Sequence, residues 1–481
     1  MTRRLGPLTP ALIPALLLPL LSAPPAGAAE PAPQATAKSS LVAAFTLVAP
    51  PSVAASQLVT RAVTTGGPCP TLDVIYSNKS KKSLPMSVRS RPGNTGSYFT
   101  DVKVCSRAVP STTKSASVSG RRVPATLSSN IRRMALFADT GCRISEYKGN
   151  YEVQRCDQPN DPTRGWPLNS IAKAIAADKP DVILNPGDYF YREADCPVGL
   201  FTWAQAACGT SPDVPVSGYP FKDSAAGWRA DVFTPMAPLF PVAPIAMLRG
   251  NHEACDRGGN GFFYFLDPRP TTSNTCAPVI VNGQRQAPGP ATTATWSATL
   301  DLIQGRSLKI AMVDSAYGND LAVTPWAKTQ QASYASAAAQ TKPTAGQESW
   351  LLTHRPVIGH NSRWTSADQT AAAQGLLDNY NLVLSSHIHF TQAIKIPTLP
   401  PSLIMGNGGT SLDRNPGTMT TPLQSQGTMY QMATTDWTVA RWGYAIATAG
   451  SQSRQWTITH KDQNGSPFAK CALKSRTMTC S

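Results

Sequence analysis

Short apolar runs that end in polar or glycine-containing segments follow one another from about residue 131 to the end of the chain. Runs of this kind, with helical patterns between some of them, are typical of an α/β fold. One helix is predicted over Leu168–Lys179, where apolar residues recur at helical spacing before Pro180, and another near Ser366. The predicted strands are Met134–Ala138, Val182–Leu184, Ile245–Leu248, Leu308–Val313, Trp350–Thr353, Leu382–Ser385 and Ser402–Met405.

The chain before residue 131 has a different pattern. Residues 41–130 contain short β-prone runs, such as Leu72–Tyr76 and Tyr98–Val104, separated by clusters of Gly, Pro, Asn and Ser. They contain no histidine. We therefore predict a small N-terminal all-β, sandwich-like domain without a catalytic role, followed by a catalytic domain over residues 131–481.

The first residues have the features of an export signal. Two arginines precede an apolar stretch from Leu12 to Leu21, which is followed by small residues. This pattern predicts a secretory signal peptide over residues 1–28, and residues 29–40, rich in Ala, Pro and Gln, are interpreted as a linker. The apolar stretch is too short for a bilayer span, and no later segment suits one better. The expected location is therefore the periplasm or the cell exterior.

The cysteines agree with export. Their number, ten, is even, and they occur in close sequential pairs rather than at Cys-x-x-Cys zinc spacing. Disulfides are therefore expected, although spacing alone does not determine their connectivity. Nearest-neighbour pairing would join Cys69 with Cys105, Cys142 with Cys156, Cys196 with Cys208, Cys255 with Cys276, and Cys471 with Cys480.

A net charge of +15 favours anionic partners such as phosphorylated molecules, although a solvated basic surface explains it somewhat better. Most basic residues are scattered. The exceptions are two short groups, Lys79, Lys81, Lys82 and Arg121, Arg122, which no aromatic residues accompany. No specific nucleic-acid partner is therefore predicted.

Polar residues follow the predicted strands at their carboxyl ends, the edge where open α/β sheets bind ligands. Four of the six histidines lie there. In Ser386-His387-Ile388-His389 the two imidazoles would project from the same side of an extended segment. Taken singly, each such residue has an ordinary explanation as a turn or cap residue. The strand-end residues are Asp139, Asp188, Asn251, His252, His354, His387 and His389.

The order of these residues resembles the motif order of the calcineurin-like metallophosphoesterase superfamily. The matching blocks are Asp139-Thr140-Gly141, Gly187-Asp188, Gly250-Asn251-His252-Glu253, the lone His354, and Ser386-His387-Ile388-His389. Tyr191, three residues after Asp188, further resembles the tyrosine of purple acid phosphatases, with a core aromatic as the alternative. The resemblance implies an α/β fold with a metallophosphoesterase β-sandwich core flanked by helices (αββα).

The resemblance also implies roles for individual residues. His252 and His360 would lie on the substrate side as catalytic residues, and Glu253 would either orient His252 or satisfy a loop. Ser386 stands where the family prefers glycine, and both neighbouring imidazoles remain in place. Two metal ions are implied, iron with zinc, manganese or a second iron, held by Asp139, Asp188, Tyr191 and His389 and by Asp188, Asn251, His354 and His387, with Asp188 bridging.

The implied activity is hydrolysis of phosphate monoesters by attack of a metal-bound hydroxide. The substrate would be a phosphorylated small molecule or polymer. Two alternatives remain: a phosphodiesterase that uses the same site, and a non-catalytic basic protein that binds anionic polymers. The complete ligand set argues against the second alternative, since a degenerate site would be expected to lose at least one ligand.

Overall fold

The computed structural model describes residues 40–91, 99–147, 150–194, 223–270, 276, 279–281, 284–286, 292–344, 347–359, 366–395, 397–413 and 434–481. Some predicted features lie outside these residues: the signal peptide, residues 29–39 of the linker, Cys196, Cys208 and His360.

The described residues form many strands and few helices. The strands are β1 Ser40–Val48, β2 Leu58–Thr65, β3 Thr71–Tyr76, β4 Lys81–Pro85, β5 Ser87–Val88, β6 Lys103–Ala108, β7 Thr113–Val118, β8 Arg121–Val123, β9 Arg133–Leu136, β10 Ile144–Tyr147, β11 Asn150–Val153, β12 Val182–Asn185, β13 Ile245–Met247, β14 Val279–Val281, β15 Gln284–Gln286, β16 Trp296–Asp301, β17 Ser307–Val313, β18 Gln347–Thr353, β19 Leu382–Ser385, β20 Thr391–Lys395, β21 Ser402–Met405, β22 Thr434–Val439, β23 Gly443–Ala449, β24 Gln455–Asp462, β25 Pro467–Lys474 and β26 Thr477–Cys480. The helices are α1 Leu168–Asp178, α2 Ala225–Trp228, α3 Gly259–Gly261, α4 Trp326–Gln340 and α5 Ala367–Ala373, with π-helical turns at Arg229–Phe233 and Phe262–Leu266 and 3-10 turns at Asn251–Glu253 and Ile303–Gly305.

Two large sheets stack face to face. One has eleven strands in the order β26-β25-β24-β23-β9-β12-β13-β1-β2-β6-β5, and the other has seven in the order β16-β17-β18-β19-β21-β20-β22. Their inner faces share one apolar core, to which Leu184 of β12 and Leu352 of β18 both belong. The central strands are parallel and buried on both faces, which explains their short, almost wholly apolar runs.

Helices cover the outer faces of both sheets. Helix α1 packs on the eleven-stranded sheet through Leu168, Ile171 and Ile175, which recur at helical spacing and lie in the core on that side. Helices α4 and α5 cover the seven-stranded sheet, with Tyr334 and Ala372 in a third core. This arrangement confirms the predicted αββα architecture.

The N-terminal region is all β, as predicted, and its strands divide between two sheets. Strands β3, β4, β7 and β8 form a separate four-stranded sheet. Strands β1, β2, β5 and β6 extend the eleven-stranded sheet, where Leu47 of β1 pairs in parallel with Ile245 of β13. The described residues belong to one compact unit. A domain boundary at residue 130 stays a prediction.

Four disulfides have the nearest-neighbour connectivity: Cys69–Cys105, Cys142–Cys156, Cys255–Cys276 and Cys471–Cys480. The last one lies beside His460, which is buried on β24 with its Nε2 3.4 Å from Cys471 Sγ. Within the described residues, no helix combines the length and apolarity that crossing a bilayer requires.

Candidate metal centre

The strand-end residues converge at one rim of the two stacked sheets. Asp139 follows β9, Asp188 follows β12, and Asn251 follows β13 in the eleven-stranded sheet. His354 follows β18, and His387 follows β19 in the seven-stranded sheet. Because parallel strands end at the same edge, residues that are far apart in the sequence meet there.

A first group of potential metal ligands combines Asp139, Asp188 and His389, whose ligand atoms lie within 4.8 Å of one another. The hydroxyl oxygen of Tyr191 lies among them. It is 2.8 Å from Asp188 Oδ2, 3.1 Å from Asp139 Oδ1 and 3.0 Å from His389 Nε2. The hydroxyl therefore points into the group, and its ring is fully buried.

A second group combines Asp188, His354 and His387, again within 4.8 Å. The carboxamide oxygen of Asn251 lies between the two imidazoles, 2.8 Å from His354 Nε2 and 2.6 Å from His387 Nδ1. His354 Nδ1 is 3.0 Å from the carbonyl oxygen of Pro186. Donation from Nδ1 to this carbonyl leaves the lone pair of Nε2 free to face the group, as in metal-binding histidines.

The electrostatics of both groups suit cations. Burial, and then the charge of Asp188, raises the pKa of Asp139 well above its usual value, because two buried carboxylates repel each other. Burial also lowers the pKa of His387 to about 4 and that of His389 well below its usual value, so both imidazoles are neutral at pH 7. Neutral imidazoles, carboxylates, a carboxamide and a phenol are ligands that transition metals accept. The two groups therefore fit two metal ions that share Asp188.

The segment that carries His387 and His389 is bent, contrary to the prediction of an extended segment. The backbone amide of Ile388 donates to the carbonyl oxygen of Ser386 at 2.9 Å, and the amide of Phe390 donates to the carbonyl oxygen of Ile388 at 2.7 Å. His387 has a φ of 73° in the left-handed region. The bends direct the two imidazoles into the two different groups, which a regular strand would not do.

Glu253 satisfies a loop rather than orienting His252. Its buried carboxylate accepts four backbone N–H groups, at distances of 2.8 to 3.0 Å. The donors are Asp188, Tyr189, Phe190 and Gly250. One carboxylate thus ties the loop that carries the shared aspartate to the loop that carries Asn251.

His252 lies beside the metal groups and belongs to neither of them. Its ring stacks on Tyr191 with centroids 3.6 Å apart, and its Nε2 is 3.8 Å from Asp188 Oδ2. Its Nδ1 is 2.8 Å from Glu193 Oε1, and Glu193 also binds Arg257. Burial lowers the pKa of His252 to about 4. A catalytic role of His252 on the substrate side stays a prediction.

Sequence reasoning missed two residues, Asp320 and Arg355, that contact the Nε2 atom of His387. Asp320 Oδ2 lies 3.2 Å from His387 Nε2 and 2.5 Å from Arg355 Nη1. A carboxylate on the far nitrogen of a ligating imidazole fixes its orientation and raises its basicity. Asp320 lies in the loop between β17 and α4, outside every recognised block. Only the adjacency of Arg355 to His354 was visible in the sequence.

Ser386, where the family prefers glycine, has a contact that glycine lacks. Its hydroxyl lies 2.9 Å from His354 Nδ1 and 3.2 Å from the carbonyl oxygen of Pro186. The serine thus adds a polar contact to the imidazole of His354 and leaves the neighbouring histidines in place.

Comparison with known proteins identifies a matching protein family and solved structures of similar fold. Residues 133–390, more than half of the chain, match the sequence profile described as calcineurin-like phosphoesterase. No curated protein matches the chain significantly. The purple acid phosphatase PPD1 from yellow lupin (Lupinus luteus) seeds has a similar structure, with 10% identity, a TM-score of 0.51 and coverage of 91% of this chain and 73% of that chain. The structure of PhoD covers 91% of both chains with 11% identity and a TM-score of 0.48. At 10% identity, the likeness to the lupin protein shows a shared fold.

The role of Glu253 is testable with the Glu253→Gln variant. An amide in this position presents an NH₂ group to backbone N–H donors, so about half of the four hydrogen bonds are lost and the loop of Asp188 shifts. We expect metal affinity to fall by about 10–100-fold, the usual effect of removing a group that orients metal ligands. Chelator competition measures this change. The exposed Glu146→Gln change is the control, and unaltered affinity in Glu253→Gln would contradict the assigned role.

Proposed function

Because the chain belongs to the calcineurin-like phosphoesterase family, we propose that it is an exported phosphatase that hydrolyses phosphate monoesters at two metal ions. The observation that carries the proposal is the pair of buried three-residue groups that share Asp188. Two ions held close together by a common carboxylate suit the in-line displacement at phosphorus.

Each metal ion would have four ligands from the chain. Bound ions would polarise the phosphoryl group and activate a water molecule. We assign Asp139, Asp188, Tyr191 and His389 to one ion and Asp188, Asn251, His354 and His387 to the other.

His252 is the residue best placed to act on the substrate. Its contact with Glu193 holds Nδ1, and its stacking on Tyr191 fixes the plane of the ring. The other nitrogen, Nε2, lies 3.8 Å from Asp188 Oδ2 and 3.1 Å from Arg257 Nη2. From there it would hydrogen-bond the phosphate or the departing oxygen and assist transfer of a proton. His360 stays a predicted second residue on this side.

Three guanidinium groups support a monoester as substrate. Each lies against a different site imidazole: Arg143 is 3.3 Å from His389, Arg257 is 2.7 Å from His252, and Arg355 is 2.9 Å from His387. A phosphate monoester carries close to two negative charges at neutral pH, one more than a diester, and gains more from this positive charge. Ion pairs with Glu152, Glu193 and Asp320 offset part of that charge, so a diester remains the alternative substrate.

The location and the metals are also part of the proposal. The leader-like residues 1–28 and the four disulfides support export, because disulfides persist in oxidising compartments. The Tyr191 hydroxyl supports iron in the first group, since phenolate is a hard oxygen ligand, with zinc, manganese or a second iron in the other.

The Asn251→Ala variant tests the activity. This change removes a carboxamide ligand that lies between two imidazoles. We therefore expect kcat/KM for an aryl phosphate monoester to fall by more than roughly 100-fold, the upper end of the loss seen when a residue that only orients a metal ligand is removed. The assay compares an aryl monoester with its diester in the metal-loaded enzyme. The exposed Asn130→Ala change should leave turnover intact. Faster turnover of the diester would replace the monoester proposal, and equal activity of wild type and Asn251→Ala would refute the site.

A visible absorption spectrum tests iron at Tyr191. The iron-loaded wild type should show a tyrosinate-to-iron charge-transfer band, and Tyr191→Phe should lose this band while retaining iron by elemental analysis. A colourless wild type that is fully active would show that the first group holds a different metal.

A further inference from the structure

A basic groove lies along the four-stranded sheet and is lined by Lys81, Lys82, Lys114 and Arg122. Two adjoining cavities make up the groove, one of about 490 Å³ beside Lys81 and Lys82 and one of about 200 Å³ beside Lys114. Both cavities share Arg122 and Ser115 as lining residues, so they lie side by side. In the sequence, Lys81, Lys82 and Arg122 belong to the two short basic groups, and Lys114 stands apart from both.

A β-bulge places Lys114 in the groove. Ile75 of β3 pairs with Ser115, and the next residue of β3, Tyr76, pairs with Thr113, so Lys114 is an extra residue in β7. Bulges of this kind redirect a side chain out of the regular alternation of a strand. Lys114 thereby lines the smaller cavity together with Ser115 and Arg122.

The charge of the groove is largely uncompensated. Among the described residues, none of its four cations has a carboxylate oxygen within 4.0 Å. Of the two carboxylates in the lining, Asp181 accepts the backbone N–H groups of Arg132 and Arg133 at 2.8 and 2.9 Å. The other, Asp73, accepts the hydroxyl of Thr71. Four neighbouring cations repel one another, and a bound polyanion would offset this repulsion.

The groove and the metal centre lie at opposite ends of the same strands. The smaller cavity is lined by Pro180 and Asp181, just before β12, and by Pro244, just before β13. The residues of the metal centre, Asp188 and Asn251, follow the carboxyl ends of these two strands. A ligand in the groove therefore does not need to contact the metal centre.

The lining indicates the chemistry of the ligand. Lys81 on β4 and Arg122 on β8 lie on the same face of the sheet and are separated by three strand spacings, about 14 Å, which is too far for one phosphate to bridge. Serine hydroxyls between them add hydrogen-bond donors. Among the described residues, no aromatic side chain lines either cavity, so bases have no stacking partner there. We propose that the basic groove binds a linear polymer of phosphate groups that carries no aromatic bases.

The test uses end-labelled linear polyphosphate and fluorescence anisotropy over a series of salt concentrations. The variant Lys81→Ser/Lys82→Ser/Arg122→Ser should raise Kd at low salt by at least about tenfold. It should also lower the slope of log Kd against log salt by about 0.7–0.9 for each lost phosphate contact, the value known for nucleic acids. The single change Arg122→Gln should weaken binding in the same direction, so the test does not depend on the folding of the triple variant.

A matched variant removes the same charge elsewhere, at three exposed lysines, as Lys328→Ser/Lys470→Ser/Lys474→Ser. It should retain polyphosphate affinity, and both triple variants should hydrolyse an aryl phosphate as the wild type does. Equal loss of binding in the two triple variants, or unchanged binding in the groove variants, would overturn the proposal. Equally tight binding of polyglutamate or single-stranded DNA to the groove would overturn the assigned chemistry. Because turnover is measured separately, failure of this proposal and failure of the proposed activity are distinguishable.

Discussion

Two carboxylates, Asp139 and Asp188, lie side by side without access to solvent, and the surrounding structure is arranged around their mutual repulsion. Backbone amides supply part of the compensation: the amide of His387 donates to Asp139 at 3.0 Å, and that of His252 donates to Asp188 at 2.8 Å. The Tyr191 hydroxyl supplies a further donor. Buried negative charge of this density is costly without cations, so metal binding would also stabilise the loops that hold the carboxylates.

The loops around this pair are held in conformations that few residues adopt. Asp139 and Asp188 have φ values of 56° and 60°, which cost on the order of 1–3 kcal/mol each. Gly187 has a φ of 114°, and a Cβ on Gly250 would lie 2.1 Å from Asp188 Oδ1. Only glycine permits this close approach of the two loops. The carboxylate of Glu253 then closes the arrangement by accepting amides from both loops.

The sequence predicted the parts of the fold that depend on local pattern. Strand β21 has the predicted bounds Ser402–Met405. Helix α1 ends one residue before its predicted end because the backbone of Lys179 adopts the left-handed conformation. Helix α4 was missed because its Ala-, Ser- and Gln-rich sequence has no apolar stripe. The pairing of β1 with β13 joins segments about two hundred residues apart, which no periodicity reveals.

The candidate site was predictable to a similar extent. The strand-end residues were found because their spacing follows a known order of motifs. Asp320 was not found, since its contact with His387 depends on how a loop outside those motifs crosses the rim. Glu253 was found, but the choice between its two roles needed the positions of four backbone amides.

The central claim is that two metal ions share Asp188. Anomalous diffraction from crystals of the metal-loaded protein, recorded at the absorption edges of the bound metals, tests it most directly. Two separate peaks are predicted, with the carboxylate of Asp188 in contact with both, Asp139 and His389 at one peak, and His354 and His387 at the other. A single peak, or two peaks of which only one contacts Asp188, would contradict the claim.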